Sequence, residues 1–332
     1  METLCKRFPH LANRIFDQVD NKSLNKCKEI SGAVLEYLDS ERFFWIRIIK
    51  KYRRGLKDFP KLWKPVIDKT PVEKVKQIAI AVSRFFQRPN LLYHQLRRSR
   101  RWSLIAISAN HGDLALLQFI VKQIKLKNVR HSERINALFL AACLGHLEVY
   151  EFLSRRLSDK NPGKTSLLNR CGETPLHVAA TYGKIGVCKF IIENSSNKNP
   201  ASIKSNRYTP LHWAAQRGRL EVCKLIMDNL TNKNPADKHG STPFHFAAKA
   251  GKLAVCQLMI ENLTDKNPAS KSSGLTPLHH AAESGHVEVC KLIMDNVIDK
   301  NPHCLKRSTP LSRAMNRGKS EVCQLFHEKG IH

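Results

Sequence analysis

A four-residue word, Thr-Pro-Leu-His, recurs through the second half of the chain at a nearly constant step. No other feature limits the fold as strongly. The word stands at Thr174–His177, Thr209–His212 and Thr276–His279, as Thr-Pro-Phe-His at 242–245, and as Thr-Pro-Leu-Ser at 309–312. Its threonines are 35, 33, 34 and 33 residues apart. An alanine pair follows each histidine (Ala179-Ala180, Ala214-Ala215, Ala247-Ala248, Ala281-Ala282) and weakens to Ala314-Met315 in the fifth copy. Glycines follow at 183, 218, 251, 285 and 318. Two fainter copies come earlier, Ser108-Ala109 with Gly112 and Ala141-Ala142 with Gly145. Seven units therefore fill residues 103–332, the first two and the last degenerate.

The physics of one unit is readable. Threonine caps a helix, because its hydroxyl can accept from an unpaired backbone N–H. Proline suits the first helical position, where no donor is needed. The alanine pair lets neighbouring helices approach, and the glycine ends the short helix. A second helix follows, with Val222, Leu225 and Ile226 as its apolar stripe. Asn-Pro segments ending at Pro162, Pro200, Pro235, Pro268 and Pro302 break it. One such helix pair cannot bury its own apolar face, so the pairs must stack into an all-α solenoid. The word, its alanine pair and its period resemble the ankyrin repeat, whose fold is a stack with fingertip turns along one edge.

That resemblance implies a partner on the concave side, built from fingers and first helices. Mapped onto this chain, the first-helix candidates are Tyr182, Trp213, Gln216, Arg217, Phe246, Lys249, His280 and Glu283. The fingertip candidates are Arg207, Tyr208, Lys238 and His239. These positions differ from unit to unit and so are free to serve a partner. Trp213 and Phe246 read equally well as side chains packed between adjacent units. The finger between Pro162 and Thr174 is longer than the others and is a second candidate contact.

Residues 1–102 carry no repeat. Apolar residues at helical spacing suggest a three-helix unit over 1–55, and 56–102 reads as a basic helical linker that caps the stack. Within it, Val72–Phe86 has Val75, Ile78, Val82, Phe85 and Phe86 on one side. Phe8-Pro9, Ile15-Phe16, Ser23-Leu24 and the run from Asp39 to Phe44-Trp45 resemble the F-box. That resemblance implies docking on a Skp-type linker of a cullin–RING ubiquitin ligase through Pro9, Leu11, Ile15, Phe16, Leu24 and Trp45. The same residues also suit the core of an unrelated helical cap.

The formal net charge is +28, and half of it falls on residues 1–102. An acidic partner is expected. No nucleic-acid recognition motif stands out, although salt-sensitive attraction to phosphate or to a membrane surface stays open. No run is long enough to span a bilayer, and the amino terminus lacks a signal-peptide core. An intracellular protein of cytoplasm or nucleus, with reduced cysteines, is expected. The cysteines at 188, 223, 256, 290 and 323 recur once per unit, without the close pairs that zinc sites use. Neither they nor the periodic histidines form a catalytic constellation, so no catalytic residue, metal or cofactor is expected. Three readings follow: a ubiquitin-ligase substrate receptor, a plain interaction scaffold, or a cationic surface-associated protein.

Overall fold

The computed structural model describes residues 72–87, 104–124, 131–157, 168–169, 171–204 and 206–331. The F-box-like unit 1–55, with Pro9, Leu11, Ile15, Phe16, Leu24 and Trp45, lies outside the described residues, as do most of 56–102 and the start of the long finger. The chain divides into two units, 1–140 with 152–157, and 141–151 with 158–332. All fifteen elements found among the described residues are helices.

In the first unit, α1 (Val72–Gln87) packs on a helix pair, α2 (Leu104–His111) and α3 (Leu114–Ile124). Its buried side is Val75, Ile78, Ala79 and Val82, the three-to-four spacing of an amphipathic helix. The pair answers with Ile105, Ile107, Leu116, Leu117 and Ile120. Two further helices follow, α4 (His131–Leu144) and α5 (Leu147–Leu157), each with residues in both units.

The second unit holds five further pairs: α6 (Pro175–Thr181) with α7 (Ile185–Glu193), α8 (Pro210–Gln216) with α9 (Leu220–Asp228), α10 (Pro243–Lys249) with α11 (Leu253–Asn262), α12 (Pro277–Ser284) with α13 (Val287–Met294), and α14 (Pro310–Asn316) with α15 (Ser320–Glu328). First helices stack on first helices and second on second. The alanine pairs at 179, 214, 247 and 281 are fully buried between them. One larger side chain at any of these positions would hold the backbones apart.

In three of the first helices, α8, α12 and α14, the first donors can be followed one by one. Proline at the first position has no N–H to satisfy. The N–H at the second position reaches the asparagine of the preceding Asn-Pro: Leu211 to Asn199 Oδ1 (3.2 Å), Leu278 to Asn267 (3.1 Å) and Leu311 to Asn301 (3.2 Å). Each asparagine also donates its own N–H to an Asn or Asp two residues earlier, an Asx turn that fixes it. The exception is Asn234, whose Oδ1 is buried without a partner, in the unit where Phe244 replaces the leucine. The threonine and the histidine of the word then close a reciprocal capping box.

The histidine also joins one unit to the next. Nδ1 of His177, His212, His245 and His279 accepts the backbone N–H of its own threonine at 3.0 to 3.1 Å. A backbone amide can only donate, so the ring proton must sit on Nε2. Nε2–H then donates to the backbone carbonyl just before the next unit's threonine: Tyr208 (3.0 Å), Ser241 (3.2 Å), Leu275 (2.9 Å) and Ser308 (3.2 Å). The same carbonyls accept the N–H that closes each finger, from Ser202, Asp237, Ser270 and Cys304. Adjacent fingers share a further backbone bond, as from Lys238 N–H to Asn206 O (3.0 Å). Gly240 in a finger has φ 81°, and a Cβ there would lie 2.3 Å from the Lys271 amide nitrogen. Only glycine allows the next finger so close. In the last pair Ser312 replaces histidine; its Oγ accepts from Thr309 N–H and donates to Thr309 O, both at 2.9 Å, and stays within its own unit.

Burial drives the pKa of His177, His212 and His245 down to about 4, and lowers that of His279. A histidine in the unfolded chain titrates near about 6.5. The folded value is the lower one, so the unfolded chain binds more protons in between. This stability is complete above about pH 6.5 and is lost as pH falls towards about 4. Unfolding near pH 5 should take up about three protons from these rings, and His245→Gln should remove about one of them, read from the pH dependence of the urea midpoint. An unchanged uptake in His245→Gln would show the ring to be charged in the fold. Leu211→Asp and Ala214→Glu each bury an unpaired charge at a fully buried site. Each should cost several kcal/mol, on the order of 3, seen as a large drop in Tm by circular dichroism.

Candidate partner-binding surface

All twelve stack residues singled out from the sequence lie on the fingers and first helices of the second unit. Tyr208 is the hub of a ring cluster. It stands edge-on to Trp213 (centroids 5.4 Å apart) and to Phe246 (5.1 Å), and tilted to His212 (5.9 Å). His212 in turn meets Phe246 edge-on at 5.2 Å. Tyr208, Trp213 and Phe246 are each half-buried, so they pack between units while keeping one side open to solvent. Phe246 meets Tyr208 and His212 of the preceding unit, which is the packing that one of its two readings expected. Trp213 Nε1 is buried and meets no acceptor at bonding distance. Its dipole still acts on the buried Glu173 carboxyl, which burial raises and which Asn169 and Trp213 pull back down. Asn169 Nδ2 donates to that carboxylate at 2.7 Å.

Arg207, Arg217, Lys238, His239 and Lys249 are exposed, and Tyr182, Gln216, His280 and Glu283 half-buried. Arg207 takes a left-handed φ of 62° at its fingertip. Burial lowers the pKa of His280 to about 4, and the cations Lys249 and Arg313 push the same way against Glu283. A charged imidazole is disfavoured there because the surroundings are already positive.

Three residues that the sequence reading did not single out complete the surface: Arg313, Arg317 and Lys319. Arg313 donates Nε (3.1 Å) and Nη2 (2.6 Å) to Glu283 Oε2. Arg317 donates Nε (3.1 Å) and Nη2 (2.8 Å) to Oε1 of the same carboxylate. Partial burial would raise the Glu283 pKa, but the two guanidiniums outweigh it and hold the carboxyl below its ordinary value. The i,i+4 spacing of Arg313 on α14 and Arg317 at its C-terminal end was the available signal.

No group of three or more His, Cys, Asp or Glu among the described residues is placed to hold a metal ion. The recurring thiols are interior side chains: burial pushes Cys188, Cys223, Cys256 and Cys290 up to about 12. No described helix is long and apolar enough to cross a membrane.

The family model of ankyrin repeats (three copies) matches the chain in overlapping segments, 103–202, 155–237, 195–270, 229–304 and 245–332, more than half of its length. The chain belongs to the ankyrin-repeat family. Ankyrin repeats are protein–protein interaction scaffolds, generally without enzymatic activity. The matched segments begin at residue 103 and leave the F-box-like segment uncovered. Comparison with curated proteins returns no match.

The ring cluster makes a quantitative claim. An edge-to-face pair contributes about 0.5–1.5 kcal/mol beyond its buried area. A double-mutant cycle of Tyr208→Leu and Phe246→Leu, followed by urea unfolding, should return a coupling in that range. A coupling near zero would mean that the two rings touch without holding the units together.

Proposed function

We propose that the protein is an adaptor that holds a protein partner on the surface made by its fingers and first helices. One observation carries this reading. Positions repeated from unit to unit (the word, the alanine pair and the recurring cysteine) are almost all buried. Positions that vary, among them Arg207, Arg217, Lys238 and Lys249, are exposed on a single built surface. The repeat maintains the stack, and the variation is left for recognition. The open sides of Tyr208 and Trp213 supply the large, stiff contact residues that dominate interface energetics. The reading places the protein inside the cell, where its buried thiols need no disulfide partner.

A finer reading gives the adaptor a destination. The order of an F-box-like segment, Phe8-Pro9 to Trp45, followed by a recognition stack suits a substrate receptor of a cullin–RING ubiquitin ligase. The amino-terminal segment would dock the Skp-type linker and the stack would present the target, with all covalent chemistry done by other subunits. A plain scaffold capped by its first hundred residues is the simpler form of the same proposal.

Two measurements test these levels separately. Bulk added at Gln216→Trp with Lys238→Trp should block capture of protein partners from cell extract, while Lys224→Trp with Lys291→Trp on the second helices should not. Equal capture by both would remove the concave surface from the mechanism. Separately, the full chain mixed with purified Skp-type linker at physiological salt should elute as a stoichiometric complex, lost in a Pro9→Ala, Leu11→Ala, Trp45→Ala variant that still melts normally. Absence of that complex would leave the plain scaffold.

A further inference from the structure

The acids of the second unit are sorted by face. The exposed charges of the fingertips are basic: Lys204, Arg207, Lys238, Lys271, Lys306 and Arg307. The acids of the fingers, Glu173 and Asp237, are buried, and their carboxylates already accept hydrogen bonds within their own turns. The first helices and their ends add Arg217, Lys249, Arg313 and Arg317, against Glu283 as the acid on that face. The other acids of these five pairs fall on the second helices and the loops after them, as with Glu221, Asp228, Glu261, Glu288, Asp295 and Glu321. A solvated surface of default composition would mix the signs.

At one end of this basic face lies an open cavity of ≈ 550 Å³, lined by Lys249, His280, Glu283, Ser284, Arg313, Arg317 and Lys319. The stem of Lys319 lies across Gly285, which at φ 87° has no Cβ to obstruct it. Neither Lys249 nor Lys319 has an ion-pair partner among the described residues. Glu283 is held by two guanidiniums at once, each through one edge, with its side chain 22% exposed. Arg317 is 64% exposed, and among the described residues only its Nε and Nη2 find a partner, both on Glu283, so N–H groups are left over for a ligand. The clamp thus holds one carboxylate with two cations, inside a cavity whose other charged groups are positive.

We infer that this groove receives an acidic segment of a protein partner, and that Glu283 is an internal stand-in for one of that segment's carboxylates. The inference rests on the proposed adaptor function and names its partner class. A side chain of Asp or Glu entering the cavity meets the free edges of Arg313 and Arg317 flanked by Lys249 and Lys319, while the basic fingertips run beside the rest of an extended acidic chain. Bidentate guanidinium–carboxylate pairing gives such a site geometric selectivity as well as charge. Glu283 competes with the ligand for the same arginines and keeps them ordered in its absence.

The test uses the full chain and a fluorescein-labelled dodecapeptide of alternating Glu and Ser, followed by anisotropy at physiological salt. Lys249→Ala with Arg317→Ala should weaken binding by about tenfold, the loss of two charge-assisted contacts. Lys224→Ala with Lys291→Ala on the second helices changes the net charge equally and should leave binding within about twofold, as expected of a long-range effect screened by salt. Glu283→Gln frees both arginines and should tighten binding several-fold. A purely structural role of Glu283 would not produce that gain. The inference is overturned if the two double variants weaken binding equally, if Glu283→Gln fails to tighten it, or if a twelve-residue oligothymidylate binds more tightly with the same dependence on Lys249 and Arg317. If the bulky Gln216→Trp, Lys238→Trp variant loses partner capture while Lys249→Ala with Arg317→Ala leaves peptide binding unchanged, the adaptor reading stands and only the acidic-segment inference falls. If that bulky variant captures partners normally, the adaptor reading itself falls.

Discussion

A neutral imidazole, placed once per unit, decides how the repeats of the second unit fit together. Its Nδ1 completes the cap of one first helix, and its Nε2–H reaches the carbonyl that also closes the finger of the next unit. Three backbone features are therefore fixed by one side chain: a helix start, a finger closure and the register between neighbours. The bond works only with the proton on Nε2; the threonine N–H donated to Nδ1 sets that tautomer, and burial keeps Nδ1 free to accept by making the charged ring costly. The other packing features depend on this register. The alanine pairs meet only if successive first helices stand level, and the finger-to-finger backbone bonds form only if the turns are aligned.

The junction of the last two described pairs keeps its histidine bond and adds ion pairs to it. The last two described pairs are bridged by Glu283 with Arg313 and Arg317, and by Asp295 with Lys329 at 2.6 Å. His279 still reaches Ser308, but Ser312 directs no bond outward. Charge thus supplements a hydrogen bond at this junction. Partly exposed ion pairs contribute little to stability in physiological salt. Their geometry, two guanidiniums on one carboxylate beside a cavity with unpaired lysines, serves a binding surface better than it serves a brace.

Much of this was legible in the sequence because it is local and periodic. Helix starts at Thr174, Thr209, Thr242, Thr276 and Thr309, the buried alanines and the interior cysteines follow from residue type and spacing within one unit. What a histidine reaches across about thirty residues did not follow, because its acceptor is a backbone carbonyl whose residue identity is free: Tyr208, Ser241, Leu275 and Ser308 share no chemistry. The asparagine of each Asn-Pro read as a helix breaker, yet Asn199, Asn267 and Asn301 also satisfy the first orphan donor of the helix that follows. Its constant place before proline was the clue. Arg313 and Arg317 were passed over because their unit had lost its histidine and alanine pair, and a weakened repeat draws attention to what is absent. Their partner, Glu283, was singled out for a different reason, and only the register of neighbouring first helices brings the three together.

The scarcity of acids on the fingertip face bears on why a repeat protein would keep so large a positive excess. Like charges on a fixed array repel, and a stack gains nothing in stability from lining its fingertips with Lys204, Lys238, Lys271 and Lys306. The second helices show that the same units accommodate acids readily, with Glu221, Glu288 and Glu321 at equivalent first-turn positions. Acids there suit the positive end of the helix, so their placement has a local cause. No comparable local cause puts lysine or arginine at the fingertips, where backbone strain at Arg207 and Arg307 even argues against a side chain with a Cβ. Basic residues held at strained, exposed turns, while nearby acids are buried and bonded, are what the proposed acidic partner would require of this face, and folding alone gives no reason for them.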